Sequence, residues 1–266
     1  MNDIDANKLI SNMISNFCEQ SSVEFNERVS LWKTDFACNE VHEVIGSLIS
    51  RQVVIAQNLA LCPQNWSGHI APLFLRAMAD VHITIVWILR EPKTRSRKYI
   101  CYGLGQQKLQ LEHKKSEVSS RSAIDGEMEW INAVENWIEE QRATFLTEVN
   151  LGSWSGLNTR AMAEEAGCLD FYNYVYSPFS SCVHSMWQHV SIYNLVQCEN
   201  PLHRLHHVAA IIKRDPDLHY FYLASKYLQK SFASFDEAVG LKIKSPSAFN
   251  ELCMAFEQLK RQPSTD

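Results

Sequence analysis

The sequence predicts an all-α protein, a single helical-bundle domain over residues 1–262 with a less regular C-terminal region and a frayed tail at 263–266. Three observations predict it. Apolar residues recur at three- and four-residue spacing along most of the chain, the period of an amphipathic helix. No run alternates apolar and polar residues as a half-buried strand does, and no Asn-Gly or Asp-Gly hairpin is apparent. The stretch Pro72–Arg90 is apolar nearly all the way round, which marks a helix buried on every side.

Residues 1–20 form a short amphipathic helix with Leu9, Met13, Ile14 and Phe17 at helical spacing. Residues 23–61 carry a second pattern, from Phe25 through Leu48-Ile49 to Leu61, which Cys62-Pro63 stops. After a polar loop, Pro72 suits the first turn of the central helix, and Glu91-Pro92 ends it because the residue before proline avoids helical dihedrals. Residues 93–117 read as a basic helix with tyrosines interleaved, and 121–150 as a helix with an apolar stripe (Ile131, Val134, Ile138, Phe145, Val149) opposite an acidic face. The loop Gly152–Gly156 leads to a short helix capped by Thr159 and stopped by Gly167. Ser177-Pro178 opens a helix to about Val196, residues 197–214 are irregular and histidine-rich, and Asp215-Pro216 and Ser245-Pro246 open the last two helices.

Hydrophobic content of 46% and charged content of 21% describe an ordinary soluble globular protein. A net charge of −5 argues against a surface coated for nucleic acid, though not against a local basic groove. The eight cysteines form no Cys-x-x-Cys pair, and no secretory signal opens the chain. They read as reduced thiols of a cytoplasmic protein. The longest uncharged apolar run near the centre, Val81–Leu89, falls short of the ~20 residues a membrane span needs.

Two polar constellations interrupt this pattern. Arg76 and Asp80, four residues apart, share one face of the central helix, and His82 is offset from them. Arginine and aspartate are rarely buried unless paired. On a helix starting at Pro178, Ser181, His184 and Gln188 align at i, i+3 and i+7. If this strip meets Arg76 and Asp80 in one cleft, Asp80 orients His184 and Arg76 holds an anion such as a phosphate. The bland alternative is a structural Arg76–Asp80 ion pair and a satisfied core histidine. In the basic helix, Tyr102 and Lys108 belong to a strip of the kind that binds single-stranded nucleic acid, or to a solvated charged face. The histidine spacings are poor for a metal: no His-x-x-x-His or Glu-x-x-His pair sits on a helix, and His203, His206 and His207 lie in a loop. No metal and no cofactor is expected. No Gly-rich phosphate loop, Gly-x-Ser-x-Gly elbow or Cys–His signature is present.

The runs Arg76–Pro92, Tyr102–His113, Phe171–His184 and Asn200–Arg204 together resemble a widespread bacterial family of all-helical proteins of unknown function, over about residues 40–235. The resemblance implies an Arg followed four residues later by an acid on one helix, here Arg76 and Asp80, and a Ser-x-x-His element, here Ser181 and His184. Glu is commoner in that family at the position of Asp80. A second likeness is to the helical HEPN ribonucleases, whose Arg and His are four to six residues apart; Arg76-x5-His82 is similar, with Ala77 where Asn commonly follows the Arg.

Two readings of function follow. The first is a metal-independent RNase or phosphodiesterase serving as a bacterial defence or toxin-type effector. Arg76 stabilises the phosphate, His184 or His82 is the general acid/base, and Asp80 orients it. Its partners are RNA, an antitoxin or sensor protein, and a second copy in a homodimer, with no membrane. The second is a non-enzymatic helical module that binds a protein or ligand and uses the Arg/Asp/His cluster for packing.

Overall fold

A computed structural model describes residues 3–121, 124–145 and 154–261. The start of the loop expected at 152–156, the helical continuation expected past residue 145 and the tail expected to fray lie outside the described residues. The described chain is all-α apart from one small hairpin.

Helix α1 (Asp3–Leu31) is longer than expected. It runs through Gln20–Ser22, where the hydroxyls of Ser21 and Ser22 are satisfied inside the helix by the Cys18 carbonyl, at 3.2 and 2.8 Å. The break comes later, where Asp35 caps a short turn by accepting from the Ala37 N–H at 2.9 Å. Helix α2 (Asn39–Ala60) follows, tied to α1 by the Gln57 amide, which donates to the Cys18 carbonyl and to both serine hydroxyls.

Helix α3 (Ala71–Arg90) starts with proline in its first turn and ends at Glu91, as Pro72 and Pro92 predict. Its Leu75, Met78, Ala79, Ile83, Ile85 and Ile88 are fully buried. By length and composition α3 is apolar enough to cross a membrane; Val81–Leu89 alone understates it. Its burial accounts for that character, because α3 packs most extensively against α2 on one side and α10 (Leu218–Val239) on the other. Asp217 caps α10 by accepting from the His219 N–H at 2.8 Å, two residues later than the Asp215-Pro216 start read from the sequence. Gly240, at φ 71°, ends it. Helix α11 (Ala248–Arg261) packs on α1 and α10.

Helices α4 (Pro92–Ser119) and α5 (Glu127–Phe145) form an antiparallel arm with its own small core of Leu111, Val118, Ile131 and Ile138. Beyond it, α6 (Thr159–Glu165) is capped by Asn158, not Thr159: the Asn158 side chain accepts from the Ala161 N–H at 2.9 Å. Gly167, at φ 73°, stops this segment as expected. Then α7 (Leu169–Phe171), a π turn (Tyr172–Tyr176) and α8 (Ser177–Val183) run on as one helical stretch across α3.

The helix expected to continue to Val196 stops at His184. Ser185 stands in the left-handed region at φ 49°. The Met186 N–H reaches the Ser181 carbonyl at 2.9 Å and the Ser185 N–H the Cys182 carbonyl at 3.2 Å, a Schellman ending with serine in the place glycine usually takes. Helix α9 (Trp187–Tyr193) then turns away. The region expected to be strandless contains β1 (Leu195–Gln197) paired antiparallel with β2 (His207–Ala209), in the register Leu195–Ala209, Val196–Val208 and Gln197–His207.

Candidate functional site

Helix α3 carries its polar residues on two faces. On the first, Arg76 is 8% exposed. Its Nε donates to Ser180 Oγ on α8 at 2.8 Å, and its Nη1 pairs with Asp80 one turn along. Its guanidinium plane lies over the Tyr176 ring, 3.1 Å from the centroid. Ser180 Oγ in turn donates to the Tyr176 carbonyl at 2.8 Å. The Tyr176 hydroxyl bonds Thr159 Oγ1 at 3.1 Å, and Tyr172 stacks on the Tyr176 ring. The π turn places both tyrosines here by adding a residue to the helical repeat. Nε, Nη1 and one face of the guanidinium are thus engaged, and the result is a dock between α3 and α8. Asp80 is half exposed at its side chain. Burial pushes its carboxyl above the usual carboxylate range, against the pull of Arg76.

On the second face, His82 is 1% exposed. Its Nδ1 lies 3.1 Å from Ser231 Oγ on α10, which also accepts from the Gln52 amide at 2.8 Å. Phe171 meets the imidazole edge-on. Burial, and after it the charge of Lys230, pushes His82 down to about 3, so the ring is neutral at physiological pH. Beside it lies a cavity of about 440 Å³, lined in part by Arg90, Cys168, Lys230 and Glu237.

The structure joins Arg76 and Asp80 and separates the rest. His82 faces α10 while Arg76 faces α8. Ser181 turns its hydroxyl to the Pro178 carbonyl at 2.8 Å, and it is the neighbouring Ser180 that meets Arg76. His184 is exposed at the end of α8, and Gln188 is exposed on α9 beyond the break. The expected i, i+3, i+7 strip therefore does not form, because the left-handed turn at Ser185 redirects the chain between its second and third members. Tyr102 and Lys108 stand on α4, half-buried and exposed. Much of the basic charge of α4 is matched by acids: Arg97 with Glu40, Lys114 with Glu127, Lys115 with Glu135.

Two clusters escaped the sequence reading. Arg28 on α1 is 3% exposed and grips Asp236 on α10 with two bonds of 2.9 and 2.7 Å, its plane over Phe232. Glu24, beside it, accepts from the Ala248 N–H at 2.8 Å. At the hairpin, the ligand atoms of Cys198, His203 and His206 lie within 4.8 Å of one another. The signal in the sequence is Cys-x4-His-x2-His, legible only once the strands on either side are known.

A kinked helical segment docked on a buried central helix through an arginine makes this a helical-bundle protein. It belongs to the DUF5677 family, a family of unknown function, whose model matches residues 42–201. That match contains α3, α8 and the Arg76 dock but ends before β2 and α10. No curated protein and no solved structure matches the chain.

Proposed function

We propose that this protein is a non-enzymatic helical module that binds a protein partner, with the Arg76 cluster holding the presenting segment in place. The observation that carries the reading is what the chain displays from the docked segment onward, through α9 and past the hairpin. Tyr174, Trp187, Ile192, Leu202, Leu205 and Ile211 are 78, 72, 58, 88, 93 and 99% exposed. Large apolar side chains exposed along one length of chain support a protein-binding role for it. Arg76 supports the same reading: Ser180 and Asp80 take up its Nε and Nη1 donors, and Tyr176 covers one of its faces.

One observation favours the second reading, a metal-independent phosphodiesterase acting on RNA, in which the protein is a defence or toxin-type effector held by an antitoxin or sensor. The cavity beside His82 gathers Arg90 and Lys230, two cations able to hold a phosphate.

The test is purified protein with a mixed RNA and single-stranded DNA pool, with EDTA and with Mg²⁺, beside Arg76→Ala, His82→Ala and His184→Ala. The binding-module reading expects no cleavage in any arm, and lower stability for Arg76→Ala and His82→Ala. Cleavage that survives EDTA and is lost in a folded single variant overturns it and names the residue.

A further inference from the structure

Between β1 and β2 the chain makes a tight loop, Cys198–His206, built from two successive turns. In the first, Asn200 leads, Pro201 presets the dihedral of the second position, and the His203 N–H closes on the Asn200 carbonyl at 2.9 Å. The Asn200 side chain adds a bond from the Leu202 N–H at 3.0 Å. In the second turn the His206 N–H closes on the His203 carbonyl at 2.9 Å. The ends are tied by the Cys198 N–H to the His206 carbonyl at 2.9 Å, and Gln197 Nε2 braces the Arg204 carbonyl at 3.1 Å. These bonds fix the backbone positions of Cys198, His203 and His206.

Their side chains converge. Cys198 Sγ lies 3.6 Å from His203 Nδ1, and the His203 and His206 rings meet edge-to-face with centroids 5.7 Å apart. Zinc bonds of ~2.3 Å to sulfur and ~2.0 Å to nitrogen, at a tetrahedral angle, place those two atoms about 3.5 Å apart.

We propose that Cys198, His203 and His206 form a Zn²⁺ site at the tip of the hairpin, with a fourth position open to solvent. One thiolate and two imidazoles are a donor set that suits zinc rather than calcium or magnesium. Three protein ligands and an open position are the arrangement in which zinc accepts water or a donor from another molecule. Binding releases the Cys198 thiol proton to solvent as the Zn–S bond forms, so affinity rises with pH. The ion clips a loop otherwise held by hydrogen bonds, and it steadies Leu202 and Leu205, both almost fully exposed, beside the clip. The site stands independently of the function proposed above.

The test uses the full chain, reduced and freed of metal with a chelator, titrated with Co²⁺ as an optical probe and then with Zn²⁺. One Co²⁺ per chain is expected to give a thiolate-to-cobalt charge-transfer band and the strong visible bands of a tetrahedral site, both removed by equimolar Zn²⁺. Cys198→Ser abolishes the charge-transfer band although seven other cysteines remain. His206→Ala weakens Zn²⁺ binding by at least the ~10-fold that loss of an outer-shell partner costs. His207→Ala, which changes the neighbouring strand residue, leaves affinity unchanged. The melting temperature of each metal-free variant shows that it is folded, and His206→Gln is the second route if Cys198→Ser is not. Absence of the charge-transfer band in the wild type, its survival in Cys198→Ser, or wild-type affinity in both His206 variants overturns the site.

Discussion

Lowering the pH from 7 to 5 should destabilise the fold by about 2 kcal/mol through His82 alone. In the folded chain its imidazole is pushed down to about 3, first by burial and then by Lys230. In the unfolded chain it titrates near ~6.5. Between those values the unfolded chain binds a proton that the folded chain refuses. The stability is therefore complete above the unfolded value and is lost as pH falls through the window from about 6.5 to about 3. At pH 5 the unfolded histidine is protonated by roughly 30 to 1, which sets the size of the effect at about 2 kcal/mol. The assay is urea unfolding at both pH values, wild type beside His82→Gln, which keeps a side chain able to bond Ser231 while losing the titration. The difference between the two proteins is the readout, since other groups contribute to each alike. His189 is pushed the same way by burial and by His69, so His189→Gln is the control that separates its share. The same pH loss in His82→Gln as in wild type would refute the reasoning.

Arg28→Ala should cost about 3–5 kcal/mol in urea unfolding, because it leaves Asp236 and the buried Glu24 without their cation. A loss below about 1 kcal/mol would mean that the pair is solvated rather than buried. Ser185→Gly should raise stability by up to about 1 kcal/mol, measured by thermal unfolding, since glycine takes the left-handed backbone at this helix end without the steric cost serine bears. Destabilisation by the glycine would show that the Schellman ending is absent in solution.

The class of fold was legible because its signals are local. Periodicity, Pro72 and the Glu91-Pro92 step place the ends of α3 without reference to anything else. The Arg76–Asp80 pair was legible for the same reason, being one helical turn apart. What escaped the sequence depends on distant or atypical partners. Arg28 and Asp236 are separated by 208 residues, and His82 and Ser231 by 149, so neither ladder position reveals the other. The end of α8 was hidden because serine does there what glycine commonly does. The hairpin was hidden because its strands are three residues each and its connection is far longer than the two-residue turns that announce themselves. With the hairpin went the convergence of Cys198 on His203 and His206. Ser181 and His184 failed as partners of Arg76 for a smaller reason: Ser180, one residue away and a hundred degrees round the helix, holds that place.

The central claim is that Arg76 is a dock for the segment that presents the apolar surface. Its removal forfeits a charge-assisted bond to Ser180, worth about 1.5–3 kcal/mol, and the stacking on Tyr176, worth about 0.5–2 kcal/mol. Asp80 is half exposed and regains water, so the net loss should be about 2–4 kcal/mol, with Asp80→Asn costing under about 1 kcal/mol. The most direct measurement is amide hydrogen exchange of Arg76→Ala against wild type. Protection should fall across residues 172–193 while the centres of α2 and α10 keep theirs. Unchanged protection in residues 172–193, together with a nucleic-acid-cleaving activity present in wild type and absent in Arg76→Ala, would contradict the account and move Arg76 from packing to chemistry.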